Sequence, residues 1–282
     1  MGKAVYAVVL CALIAGSNGI LIKYMTTLNT GAIAFFRTMV PVVFLAPVLF
    51  SKKHPLFTGN YKKMLLASAI NVVRIYLYLV AFIFTSIGNA VVLFYSWPIF
   101  VFVLETLHHS RPLKARQAGV LLIAFAGLVI TYSDKNFSFE NADVIGMVAA
   151  VLSAITYALT VLMFKSESHN YSKEQTIVFQ NLVGAFFFIP FLFFVPDATL
   201  DQLGVGIFYG FLIGIIVFKL FFYGLKHLEA STASSLMYLE VVSAMVLGYI
   251  ILEEELTLNT VLGGALIIIS SYLITRIKPK NG

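Results

Sequence analysis

The chain has 282 residues, of which 60% are hydrophobic and only 11% charged, with a mean hydropathy of +0.94 and a net charge of +6. A soluble domain carries about 25% charged residues, so this chain lacks the polar surface to coat a globule in water, and a bilayer is the solvent that suits it. Its single cysteine, Cys11, excludes an internal disulfide and a metal centre built from cysteine spacing.

The first apolar run, 4–22, follows Lys3 as the core of a signal peptide would. It is longer than such a core, no small-x-small site closes it, and Leu10 before Cys11 fits a lipoprotein site poorly. A retained first helix is expected. Nine further runs approach the roughly 20 residues that a span requires: 33–50, 64–84, 90–107, 117–132, 144–164, 176–195, 205–223, 232–252 and 258–275. The short connections carry turn or capping residues such as Pro55, Gly59, Pro112 and Pro196-Asp197. The alternating pattern of a membrane β-barrel is absent, so helices must satisfy the backbone.

Ten spans divide the lysines and arginines unequally. Fourteen fall on the side of the amino terminus: Lys3, Lys52, Lys53, Lys62, Lys63, Arg111, Lys114, Arg116, Lys165, Lys173, Lys226, Arg276, Lys278 and Lys280. Only Lys23 and Lys135 fall opposite, and Arg37, Arg74 and Lys219 lie within spans. This bias orients both termini to the cytoplasm of a multi-pass protein of the cell inner membrane. It is a membrane-orientation signal and not a nucleic-acid patch.

Sliding the chain on itself by about 142–145 residues brings like onto like. Val9-Leu10-x-Ala12 meets Val151-Leu152-x-Ala154, Phe36 meets Phe179, and Pro47 meets Pro190. Ala90, Leu93 and Tyr95 meet Ala233, Leu236 and Tyr238, and Gly119 meets Gly263. Two five-span halves, 1–138 and 139–282, are expected. An odd number of spans inverts the second half, and inverted repeats hold a substrate site near the midplane at their interface. The expected fold is an all-α membrane protein of ten transmembrane helices, two inverted five-helix repeats around a central cavity.

The whole chain resembles a ten-helix, EamA-type member of the drug/metabolite transporter superfamily. The residues that carry the resemblance close each half: Asn89-Ala90-x-x-Leu93 through Trp97-Pro98-x-Phe100, Arg111-Pro112-Leu113 to Gly119, and Phe125-Ala126-Gly127. In the second half they are Ala233-Ser234-Ser235-Leu236-x-x-Leu239-Glu240, Glu253-Glu254-Glu255-Leu256-Thr257 and Gly263-Gly264. The resemblance implies movement of a small metabolite or drug through a cavity lined mainly by spans one to four and six to nine. The chain departs from the family at Leu239-Glu240, where proline is common, and at Ser110-Arg111, which lacks an acid.

A cation at membrane depth costs roughly 2.5–3.5 kcal/mol even on the lenient insertion scale, so Arg74 and Lys219 are the first candidates for a binding site. Each is followed four residues later by tyrosine, Tyr78 and Tyr223. Arg74 reads as an anion anchor against a structural arginine, with Asn71 and Tyr78 on its helix face. Lys219 reads equally as a pocket residue or as a lysine snorkelling to the near interface, with Tyr223 in the aromatic belt. Glu240 is the acid deepest in any span; it either neutralises a cation or takes a substrate amine or a proton. Trp97-Pro98 kinks span four for packing or offers a stacking platform with Tyr95 and Tyr238. Arg37 is expected to snorkel, Asn18, Gln180 and Asn181 to bond between helices, and Glu253-Glu254-Glu255 to form a solvated turn.

All five histidines fall in expected loops, and no HExxH motif, phosphate loop or nucleophile elbow occurs, so neither an enzyme nor a bound cofactor is expected. The expected function is secondary transport, by alternating access, of a small polar metabolite such as an amino acid or S-adenosylmethionine. Arg74 and Lys219 would take the carboxylate and Glu240 the amine. The partners are that metabolite and the bilayer, with a proton or counter-substrate open as coupling partner and a monomer favoured. A broad drug exporter, a non-transporting scaffold or sensor, and an intramembrane enzyme are the alternatives in that order.

Overall fold

The protein is described by a computed structural model covering residues 2–49, 59–108, 114–133, 141–195 and 199–277. Pro55, Arg111-Pro112-Leu113, Lys135, Pro196-Asp197 and the flanking lysines Lys52, Lys53, Lys278 and Lys280 lie outside the described residues. The described chain is helical throughout. The helices are α1 (Gly2–Ala15), α2 (Asn18–Lys23), α3 (Thr30–Leu49), α4 (Tyr61–Phe84), α5 (Ile87–Phe94), α6 (Trp97–His108) and α7 (Ala115–Thr131). They continue as α8 (Asn141–Ser166), α9 (Lys173–Phe187), α10 (Leu200–Tyr209), α11 (Phe218–His227), α12 (Ala230–Leu236), α13 (Leu239–Leu252) and α14 (Leu258–Thr275). A 3₁₀ segment, Ile189–Phe194, follows α9, and a π-helical segment, Gly210–Val217, joins α10 to α11.

Every expected span coincides with one helix or with a broken one. Among the described residues, eight segments are long and apolar enough to cross a membrane: Gly2–Lys23, Thr30–Pro47, Tyr61–Phe84, Gly88–Leu107, Asp143–Ser166, Leu200–His227, Ala230–Leu252 and Leu258–Thr275. Helix α7, with 17 residues, and α9, with 15, are shorter. Large apolar side chains such as Leu66, Tyr76, Ile83, Leu122 and Ile250 are exposed on the bundle's outside, as a lipid-facing surface requires. The chain is a multi-pass membrane protein.

Packing is closest where small residues permit it. Helix α7 lies on α14 with Gly127 against the Gly263 carbonyl; a Cβ on Gly127 would meet that oxygen at 2.7 Å. Close backbone approach through small residues is the usual way helices associate in lipid. Other extensive pairs include α4 with α8, α3 with α9, α4 with α9, α1 with α11, and α6 with α8. The core among them is built from Val8, Phe36, Phe164, Phe221, Leu225 and Leu236.

Two expectations change here. Pro98 does not kink the middle of a helix: α6 begins at Trp97, so the proline occupies the first turn, where its missing N–H has no intrahelical partner to lose. Arg37 does not sit at an interface either. Helix α3 begins at Thr30, ahead of the expected residue 33, which carries Arg37 about 10 Å into the helix at 1.5 Å per residue.

Candidate functional site

Three of the crossing segments are interrupted, between Ala15 and Asn18, between Phe94 and Trp97, and between Leu236 and Leu239. An interruption frees carbonyls that lipid cannot satisfy, so each must find a partner within the protein. At the first, the Ser243 hydroxyl donates to the Leu13 carbonyl (2.6 Å), and Gly16 lies against Ser243 with no room for a Cβ. At the second, the Ser96 hydroxyl donates to Leu93 (2.6 Å) and the Tyr238 hydroxyl to Tyr95 (2.8 Å). The third turns back on itself through the amide of Glu240, which donates to the Met237 carbonyl (3.0 Å).

The residues beside these interruptions line one interior chamber of two adjacent lobes, about 80 and 50 Å³. The larger lobe is aromatic: Tyr78, Phe94, Tyr95, Trp97 and Tyr157 surround Arg74. The smaller is walled by Cys11, Ile213, Val217, Phe218 and Phe221. Both share Asn18, Arg37, Tyr157, Met237 and Glu240. Small-molecule sites usually measure roughly 300–1,000 Å³, so the chamber is contracted in this conformation.

Arg74, 4% exposed, sits near the middle of α4. Its Nε donates to Asn71 Oδ1 (3.0 Å), and Asn71 Nδ2 donates in turn to the Gln180 carbonyl on α9 (3.1 Å). The guanidinium lies over the Tyr157 ring, 4.8 Å from its centroid. Arg37 faces Phe218 at 5.7 Å. Tyr95 and Glu240 line the same lobe, and Tyr209 donates to Asn18 Oδ1 (2.8 Å). Glu240 occupies the first turn of α13, where the helix dipole favours an anion. None of Arg37, Arg74 and Glu240 belongs to any of the four ion pairs found among the described residues.

The expected site is therefore assembled in part. Arg74, Tyr78, Tyr95, Trp97 and Glu240 converge on the chamber. Asn71 stands behind Arg74 and positions it, and Tyr238, fully buried, caps the interrupted backbone. Lys219 and Tyr223 lie elsewhere. Lys219, its side chain 45% exposed, pairs with Glu174 at 3.0 Å, and the Tyr223 ring takes Lys173 at 5.2 Å and His227 at 4.5 Å. The cause is helix rotation. The face of α11 that lines the chamber carries Phe218 and Phe221; Lys219 is one residue on, about 100° away. The π segment Gly210–Val217, bonded i to i+5, winds less per residue and shifts this register just before Lys219. At the step of 143 that relates Tyr95 to Tyr238, Arg74 and Tyr78 fall on Val217 and Phe221, which do line the chamber. The chamber also takes Arg37, expected to snorkel, and Asn18, expected to bond between helices, together with Tyr157 and Met237, for which the sequence held no expectation; a polar residue two turns into a span was the available signal for Arg37.

Both ends of the chamber are held shut by polar contacts. At the end where α6, α8 and α11 finish, the Glu105 carboxylate accepts the amides of Ala230 and Ser231, each at 2.8 Å. Lys114 pairs with Glu229 at 2.6 Å, and Gln117 Nε2 donates to the Ser231 hydroxyl at 2.8 Å. Lys165 Nζ donates to the Leu225 (2.5 Å) and Leu228 (2.7 Å) carbonyls, closing the end of α11. A vestibule of about 250 Å³ lies among these groups. At the opposite end the contacts are more exposed: Lys23 with Glu254 at 2.6 Å, and Thr27 with Gln202.

No cluster of histidine, cysteine or acidic residues able to hold a metal occurs among the described residues. The profile of the EamA-like transporter family matches residues 2–133 and 144–276. The chain belongs to that family. It is an EamA-type transporter of the drug/metabolite transporter superfamily. A transporter of Archaeoglobus fulgidus without assigned function is 26% identical over 269 residues, covering 93% of this chain and 92% of its own. An S-adenosylmethionine uptake transporter of Rickettsia bellii is 25% identical over 262 residues, covering 92% and 88%. One solved crystal structure shares the fold, with a TM-score of 0.84 at 13% identity over 98% of this chain and 97% of that one.

Proposed function

We propose that this EamA-type transporter moves a small polar metabolite bearing a carboxylate and an amine, an amino acid or a compound such as S-adenosylmethionine, across the cell inner membrane by alternating access. The observation that carries the reading is the interior chamber in which Arg37, Arg74 and Glu240 stand among aromatic rings without forming an ion pair with one another. Arg74, held from behind by Asn71, takes the carboxylate through its guanidinium fork. Glu240 takes the amine, and Trp97, Tyr78, Tyr95 and Tyr157 cover the apolar part. The naming of the Rickettsia relatives supports the substrate class.

Alternating access follows from ten spans arranged as two inverted halves, 1–138 and 139–282, with both termini cytoplasmic. Two family matches of nearly equal length support the duplication, as do interruptions at Tyr95-Ser96 and Met237-Tyr238, one repeat step apart. The pairing of α4 with α8 and of α1 with α11 is what a twofold exchange of the halves generates. The two ends then open in turn, and the contracted chamber is an intermediate with both ends closed. Uptake of radiolabelled amino acids and S-adenosylmethionine by proteoliposomes containing the purified protein tests the reading. Saturable uptake above that of empty liposomes supports it; equal counts for every compound reject it.

A further inference from the structure

The charge count within the chamber narrows the cargo. Two guanidiniums, Arg37 and Arg74, and one carboxylate, Glu240, line it, so among its described lining residues the chamber carries one net positive charge. The ion-paired acids, Glu167, Glu174, Glu229 and Glu254, are engaged by lysines at the bundle's ends. Glu105 is engaged there too, by two backbone amides. The protein thus leaves one of the chamber's positive charges uncompensated among these residues, and a buried charge without a counter-charge is costly.

The layout shows where the compensation must come from. Arg37 and Glu240 lie together in both lobes, whereas Arg74 belongs to the aromatic lobe alone. Each arginine is backed by a ring, Arg74 by Tyr157 and Arg37 by Phe218. Asn71 engages Nε of Arg74, so its two terminal nitrogens, which have no hydrogen-bond partner among the described residues, are the ones presented to the interior. A single zwitterion satisfies Arg74 with its carboxylate and Glu240 with its amine, but leaves Arg37 in excess.

Building on the transport reading above, we infer that the cargo carries two anionic groups and one amine: an acidic amino acid, or an amino acid esterified to phosphate. One anionic group is held by Arg74 in the aromatic lobe and the second by Arg37, with the ammonium between them on Glu240. A guanidinium accepts carboxylate and phosphate alike through paired N–H bonds, so both acids fit the same chemistry. A compound with one net positive charge, such as S-adenosylmethionine, adds a third cation to the same space and is disfavoured.

Thermal stabilisation of the purified protein tests this, with L-glutamate, L-aspartate and O-phospho-L-serine set against their neutral counterparts L-glutamine, L-asparagine and L-serine, and against S-adenosylmethionine. The acidic set is expected to bind at least tenfold more tightly than its neutral or cationic counterparts. Arg37→Gln is expected to bring the ratio of glutamate to glutamine affinity close to one, while Arg37→Lys, which keeps the charge, retains most of the preference. Equal or tighter binding of the neutral amino acids or of S-adenosylmethionine overturns the inference and leaves the transport reading standing. Failure of every amine-bearing compound to bind or to be taken up overturns both.

Discussion

Replacing Glu105 by glutamine should unlatch one end of the chamber. The Glu105 carboxylate spans the start of α12, one oxygen on the Ala230 amide and the other on that of Ser231, each at 2.8 Å. Hydrogen bonds to a charged acceptor contribute about 1.5–3 kcal/mol each, and neutral ones about 1 kcal/mol. Glutamine keeps one oxygen, so one neutral bond survives while the other amide faces an NH₂ group. Discounting for partial exposure, the closed end loses about 2 kcal/mol, or roughly thirtyfold in the balance between closed and open. Cys11 reports the change without further engineering: it is the chain's single cysteine, it is fully buried, and it lines the smaller lobe. Alkylation of Cys11 by a membrane-impermeant thiol reagent, in vesicles of each orientation, should accelerate about thirtyfold in Glu105→Gln from the face that carries Glu105, Lys114 and Lys165. A rate unchanged from that face, or raised equally from both faces, refutes the latch.

Other substitutions separate the chamber from its surroundings. Lys219→Met should leave uptake within twofold of the parent in proteoliposomes, because Lys219 pairs half-exposed with Glu174 away from the chamber and such pairs contribute about 0–1 kcal/mol. Tyr238→Phe leaves the Tyr95 carbonyl without its 2.8 Å donor and should lower stability by about 1–3 kcal/mol, seen as a reduced melting temperature. Gly127→Val forces side-chain atoms against the Gly263 carbonyl and should cost about 1–3 kcal/mol in the same measurement, with cargo affinity unchanged in the folded fraction.

Much of this arrangement was legible in the apolar runs. Each expected span contains a helix, because a run of about 20 apolar residues has few other solutions in lipid. Arg74 and Glu240 were legible for the same reason, since ionised groups at depth are expensive and must face the interior. What failed was rotation. Lys219 shares its residue type and following tyrosine with Arg74, but the π segment ahead of it turns the pair away. Depth failed once as well: Arg37 was assigned to the interface because the start of α3 was placed three residues late. Tyr157 had no signal of its own, as a tyrosine among apolar residues is common, and only the α4–α8 contact sets it under Arg74. The helix interruptions were partly legible in Gly16-Ser17 and in Ser96 ahead of Trp97-Pro98, residues that take up local backbone bonds.

Equilibrium binding of radiolabelled L-glutamate to purified Arg74→Ala, compared with the parent protein, tests the central claim most directly. Loss of the guanidinium removes one fully desolvated charge partner, an effect of about 2–5 kcal/mol or roughly 30- to several-thousandfold in affinity. The account predicts saturable binding by the parent and none measurable by Arg74→Ala, with the variant's melting temperature at or above the parent's. Undiminished binding by a folded Arg74→Ala protein would contradict it.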